Sequence, residues 1–182
     1  MTKFKLESAD TILMVIDVQD KLMAAMKDKE RVYANINLLL ETAKQLDIPV
    51  IVTEQYPQGL GPTVDVVAQH LPPHQYMDKT TFTACTDGLW DILRQWERKT
   101  ILVTGSETHI CVFQTTRDLQ EAGYQVHLIK DAVCSRFDEN YENGLQLMKE
   151  TGAVITTAET AVFDLLKRSG TPEFKAISAL VK

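Results

Sequence analysis

The feature that most constrains this chain is an alternation of short, nearly continuous apolar runs with longer amphipathic stretches. The runs occupy 11–16, 49–53, 100–104, 125–129 and 153–156 and are rich in Val and Ile. Strands that are apolar on both faces are strands covered on both faces, as in a parallel sheet held between helices. A sixth run, 75–78, is short and only weakly apolar. Helical patterns fall between them, at 31–46, 88–97, 111–122, 141–151 and 160–168. In the first of these, Val32, Ile36, Leu39, Leu40, Ala43 and Leu46 recur at the helical period. Such alternation predicts βαβ units and an α/β fold: a three-layer αβα sandwich around a mostly parallel, Rossmann-like six-stranded sheet. At 182 residues, with domains typically about 150 residues long, the expectation is one domain over 1–182. The segment 56–73 holds Pro57, Gly59, Gly61, Pro62, Pro72 and Pro73. It is expected to be a long irregular connection, of the sort that tends to carry function. Pro172 is placed to open a last helix.

Composition excludes several classes. The net charge is −6, which disfavours nucleic acid or an anionic membrane as partner, because both select a basic surface. No apolar run reaches the ~18 residues of a membrane span, and the charged start of the chain has no apolar core of a secretory signal. Cys85, Cys111 and Cys134 form no C-x-x-C pair, and the four histidines show no H-E-x-x-H spacing. Free thiols in a reducing cytoplasm are the natural expectation.

In open α/β sheets ligands bind at the carboxyl ends of the strands, so the residues after each run matter most. Asp17-Val18-Gln19 follows the first run, Asp78-Lys79 the weak one, and Gly105 through Cys111 the run at 100–104. A carboxylate, an amine and a thiol thus reach one rim from three strands, as convergent catalytic groups must. Each also has a plainer role: Asp17 as a helix cap, Lys79 as a surface lysine, Cys111 as a small buried hydrophobe. Cys111 opens an amphipathic stretch, and a helix N-terminus favours a thiolate.

The combination of Asp17-Val18-Gln19, Lys79 and Gly105-x-x-Thr108-x-x-Cys111-Val112 resembles the isochorismatase-like cysteine hydrolase superfamily. Thr53-Glu54-Gln55-Tyr56-Pro57 and Glu107-Thr108-His109-Ile110-Cys111 look most like its isochorismatase-domain-containing branch, whose reaction is not settled. The resemblance implies a triad of Asp17, Lys79 and Cys111. Cys111 would attack a carbonyl carbon, Asp17 would serve as general base and then acid, and Lys79 would hold Asp17 ionised and help keep the thiolate. It further implies a cis peptide between Ser106 and Glu107, with the backbone N–H groups of Glu107 and Cys111 as an oxyanion hole. The product would be a thioester opened by water, with C–N cleavage of a small amide or carbamoyl compound.

Metal-binding nicotinamidases in that superfamily carry a D-x-H motif and a distant His. Thr53-Glu54-Gln55-Tyr56 has neither, and His70 and His74 fall in a Pro-rich loop, so no metal or other cofactor is expected. Isochorismatases that cleave a vinyl ether lack the cysteine. Gln19, Tyr56, Phe82, His109 and Phe113 are candidates for the pocket. Two other readings stay open: a non-catalytic interaction protein on this fold, and a redox-reactive thiol protein. The expected partners are a small-molecule substrate and a second copy in a homodimer or larger homo-oligomer. The dimer is suggested by the apolar tail with Ile177, Leu180 and Val181 at helical spacing.

Overall fold

The computed structural model describes residues 3–181. Six strands form one all-parallel sheet: β1 (Thr11–Ile16), β2 (Val50–Gln55), β3 (Gln75–Lys79), β4 (Thr100–Ser106), β5 (Gln125–Cys134) and β6 (Val154–Thr156). Their spatial order is β3-β2-β1-β4-β5-β6. The chain builds outward from β1 through β2 to β3, then returns to set β4 against the other side of β1. The crevice where strand order reverses therefore lies between the carboxyl ends of β1 and β4, the site at which ligands bind in open sheets of this kind.

The pleat divides the core in two. Leu13 and Val15 of β1 point into one apolar cluster with Val32, Ile36 and Leu39 of α2 (Lys29–Gln45) and with α8 (Ala158–Leu166). Ile12, Met14 and Ile16 point into the other. There they meet Leu89 and Leu93 of α5 (Asp87–Arg94), Leu119 of α6 (Phe113–Glu121) and Met148 of α7 (Asp138–Glu150). Each such fully buried side chain contributes ~1.5–3 kcal/mol. The three-layer expectation therefore holds, with the sheet wholly rather than mostly parallel.

The differences from the sequence pattern have local causes. β3 is an edge strand whose residues are largely exposed, so it lacks the apolar signature of its neighbours; Lys79 is its buried member. β5 runs five residues beyond the apolar run at 125–129, through exposed Lys130 and half-buried Asp131, because a register shift against β4 lets pairing resume at Val133. The connection 56–73 is not irregular throughout. It holds two short helices, α3 (Pro57–Leu60) and α4 (Asp65–Ala68), and an isolated antiparallel bridge from Thr63 to Gln19. The apolar tail gives no ground for a dimer. In α9 (Pro172–Ser178), Ile177 is buried in the chain's own core, and Phe174 and Val181 pack beside it. Of the spaced residues only Leu180 is exposed.

Candidate active site

Asp17 leaves β1 with φ 51°, a left-handed conformation that Asp tolerates better than most residues. Its backbone is pinned on two sides. Its N–H donates to the Thr53 carbonyl at 3.1 Å, and its carbonyl accepts from the Ser106 hydroxyl at 2.9 Å. Both carboxylate oxygens are engaged. Oδ1 accepts from the Thr53 hydroxyl at 2.7 Å and Oδ2 from Lys79 Nζ at 2.6 Å. Both side chains of this ion pair are almost wholly out of water.

Lys79 reaches the site from the edge strand because its neighbour in register is Gln55. Nζ donates to Gln55 Oε1 at 2.7 Å, and to the carbonyls of Thr81 and Phe82 at 3.2 and 3.1 Å. Four acceptors thus share three protons. Thr53 and Gln55 were not among the sequence candidates. Their signal was available: both lie at the carboxyl end of β2, on the rim where convergent groups were sought.

Cys111 sits in a π-helical turn, Thr108–Val112, that leads directly into α6. The turn reaches the crevice because β4 ends in Gly105, with φ 115°. A Cβ at that position would lie 1.9 Å from the Ile16 carbonyl oxygen, so only glycine lets β4 pass this close to the end of β1. The Ser106–Glu107 peptide is cis. Behind the turn, α7 approaches so closely that a Cβ on Gly144 would meet the His109 backbone at 3.0 Å. The thiol is buried, and burial pushes its pKa up to about 12. The negative charge of the Asp17 carboxylate contributes to that rise, and the Lys79 ammonium opposes it. This corrects the expectation of a resting thiolate. A helix dipole is worth only ~0.3–1 kcal/mol, and desolvation of the charged form outweighs it.

The thiol opens onto a cleft of about 120 Å³, walled by Leu22 of α1 (Asp20–Ala24), Leu60, Phe82 and Ile110, with Gln55 and Glu107 beside it. Glu107 is held by the N–H and Nε of Arg136, at 3.1 and 3.2 Å. Of the sequence candidates for the pocket, Phe82 lines this cleft. Gln19 is instead a buried tie: it donates to the carbonyls of Gln55 and Gly61 at 3.0 and 2.7 Å and accepts from the Gln55 N–H at 2.7 Å. Tyr56 is 55% exposed and lays its ring against Gly59. His109 meets the Ser135 hydroxyl at 3.0 Å, and burial lowers its pKa. Phe113 packs at the edge of the second core cluster, 5.8 Å from the Arg117 guanidinium.

Cys85 and Cys134 are free thiols, also pushed up to about 12 by burial. Among the described residues no three His, Cys, Asp or Glu side chains converge as metal ligands. His70 faces Glu41 at 3.3 Å and His74 the Pro72 carbonyl at 2.8 Å. No helix among the described residues is long and apolar enough to cross a membrane.

Comparison with known proteins identifies the family. The chain is 37% identical over 177 residues to a protein of Phytophthora sojae named secreted isochorismatase effector Isc1, covering 94% of this chain and 84% of that one. It is 34% identical over 173 residues to isochorismatase domain-containing protein 2 of Rattus norvegicus, covering 94% and 81%. The solved structure of a Caenorhabditis elegans protein named MAR1 ribonuclease superimposes with a TM-score of 0.92 at 35% identity, covering 97% of this chain and 92% of that one. The family model described as the isochorismatase domain matches residues 11–160, which spans all six strands and the three strand ends that frame the crevice. The chain therefore belongs to the isochorismatase-domain family within the isochorismatase-like hydrolase superfamily.

Proposed function

We propose that the chain is a metal-independent cysteine hydrolase that cleaves the C–N bond of a small amide or carbamoyl compound. The observation that carries this reading is the buried Lys79–Asp17 pair at 2.6 Å, set beside a buried thiol at the floor of a cleft. For stability alone, such a pair is no better than well-packed apolar residues, while losing one partner costs ~3–5 kcal/mol. Its use is better sought in proton transfer.

A thiol pushed up to about 12 is neutral in the resting site, so Asp17 must act as base during attack. The Cys111 proton passes to the Asp17 carboxylate as sulfur bonds to the carbonyl carbon. The backbone N–H groups of Glu107 and Cys111 receive the oxyanion. Asp17 then delivers the proton to the leaving amine as the C–N bond breaks, leaving a thioester. Water gives a proton to Asp17 and its hydroxide to the carbonyl carbon. The acid departs, and the proton returns to sulfur. Lys79 holds the Asp17 carboxyl group in place throughout.

The cleft is small beside the ~300–1,000 Å³ of pockets for drug-sized ligands, and the chain carries −6. Both support a small molecule over the nucleic acid that the nematode neighbour's name suggests. A screen for ammonia release from small amides, ureas and carbamoyl acids tests the reading, with Cys111→Ala as blank and isochorismate and RNA as further arms. Turnover of an amide that vanishes in the blank supports it. Turnover of only isochorismate or RNA rejects it. The reading also includes a homodimer, the commonest assembly, or a larger homo-oligomer; light scattering at 20.5 kDa would reject that part.

A further inference from the structure

The cleft over Cys111 offers an incoming ligand apolar walls, a carboxylate and a thiol, and among the described residues no cation lines it. Leu22, Leu60, Phe82 and Ile110 form most of its lining, and Glu107 is its charged member. Among the described residues, the nearby cations lie outside the lining and each has a partner. Lys79 is buried and has four acceptors for three protons. Lys21 Nζ donates to the Gly59 carbonyl at 2.8 Å. Arg136 holds Glu107 through its Nε, and its guanidinium lies 6.0 Å from the Phe137 ring. The His109 ring is bonded to Ser135 and disfavours the charged form. The polar amide in the lining is also used on both ends. Gln55 Oε1 accepts from Lys79, and Nε2 donates to the Thr80 carbonyl at 3.0 Å.

With the backbone N–H groups of Glu107 and Cys111 taken by the reacting carbonyl, a second carboxylate against the apolar walls would lose its water and gain no partner, and it would lie near the Glu107 carboxylate. A methyl or methylene group would lose little and pack against four apolar side chains. From this lining and these engaged cations we infer that the cleft selects uncharged ligands with an apolar tail and rejects carboxylates. The inference rests on the proposed amidase reading for its substrate class. Within the range of amides and carbamoyl compounds, it points to simple aliphatic amides and away from carbamoyl and amide acids.

Butyramide and succinamate test it, because they share a chain length and differ by a methyl or a carboxylate at the far end. With the full chain, kcat/KM for butyramide should exceed that for succinamate by about a hundredfold or more, the discrimination expected when a site leaves a buried group unpaired. A second measurement does not depend on turnover. The rates at which neutral iodoacetamide and anionic iodoacetate label Cys111 are read by peptide mass and compared with their ratio on a small neutral thiol. The preference for the neutral reagent should be about tenfold or more above that of the free thiol. Leu60→Arg, which adds a cation to the wall from the end of a short surface helix, should reduce both preferences. A labelling ratio equal to that of the free thiol, or succinamate hydrolysed as fast as butyramide, would overturn the inference. If neither amide is hydrolysed while the labelling preference stands, the amidase reading falls and the exclusion of anions survives it.

Discussion

The two halves of the site are built on opposite principles. The half at the ends of β1, β2 and β3 is polar, buried and fully bonded: Asp17, Thr53, Gln55 and Lys79 satisfy one another within hydrogen-bond distance. The half that faces a ligand is apolar and comes from connections. Leu22, Leu60 and Phe82 stand on a short helix, another short helix and a loop, and Phe82 is 56% exposed. Strand register fixes the first half, because a one-residue slip of β3 would turn Lys79 to the other face. Nothing comparable fixes the second. The comparison assigns proton handling to the sheet and ligand selection to the loops, so damage to the two halves should look different.

The largest effect belongs to the thiol between them. Cys111→Ala should lower amide hydrolysis at least a hundredfold, because losing a nucleophile from a cooperating set usually costs far more. Its circular dichroism and melting curve should stay near those of the parent. A variant above one hundredth of parental activity removes Cys111 from the chemistry.

Next comes the sheet half. Lys79→Met leaves the Asp17 carboxylate buried without its cation and should destabilise the fold by ~3–5 kcal/mol, read by denaturant unfolding. Leu60→Ala, on the ligand-facing half, should cost little stability and act on KM. The lysine charge also opposes the rise of the Cys111 pKa, so its removal should move thiol ionisation still higher. In the parent the direction is already upward, from the ordinary value of 9 to about 12. Below that value the thiol is mostly protonated. Alkylation of Cys111 should therefore climb with pH through 11 without a plateau. A plateau near neutrality would show a resting thiolate and displace Asp17 as the base.

A smaller effect tests the joint between the halves. Gly144 lets α7 lie against the nucleophile turn, and an added Cβ would meet backbone at 3.0 Å. Gly144→Ala should shift the turn, with ~1–3 kcal/mol of destabilisation and a drop in kcat larger than in the control. The control is Gly88→Ala in α5. There a Cβ meets only the Thr86 hydroxyl at 3.7 Å, so stability should hold or rise. Equal kinetics in the two variants would show that the turn does not need its close support.

The sheet half was largely legible in the sequence, and the loop half was not. Asp17 and Cys111 follow buried strands whose apolar runs announce themselves, so the end of each run marks the residue. Lys79 was harder, because an exposed edge strand has no such run; it was located by motif order. Its bond to Gln55 depends on the register of β2 with β3, which no local pattern encodes. The cleft walls come from four connections that meet only in space, so Leu22, Leu60 and Ile110 went unnoticed while Gln19, Tyr56, His109 and Phe113 were proposed alongside Phe82. Gln19 shows why: two residues after Asp17 in sequence, it ties the end of β2 to Gly61. The thiol was misjudged for a different reason. Sequence shows a helix start, whose dipole favours the thiolate, but not the burial that outweighs it.

The smallest expected effect is none at all, and it also bears on the comparison. If the site divides into a bonded proton-handling half and an apolar ligand-facing half, no set of side chains among the described residues remains to hold a metal beside the substrate. Glu54, the nearest buried carboxylate in sequence, already accepts from the N–H and hydroxyl of Thr63 at 2.6 and 2.8 Å and from the Tyr76 hydroxyl at 2.9 Å. Asp17 is closed by Thr53 and Lys79, and Glu107 by Arg136. Binding a divalent cation would require breaking one of these ties and gathering His70 and His74 from the connection between β2 and β3. Dialysis against EDTA should leave both activity and the melting temperature unchanged, and added Zn²⁺ or Mn²⁺ should not raise them. Activity lost on chelation and restored by either ion would mean that the polar half opens to take a metal, and that its hydrogen bonds describe a resting arrangement instead of the working one.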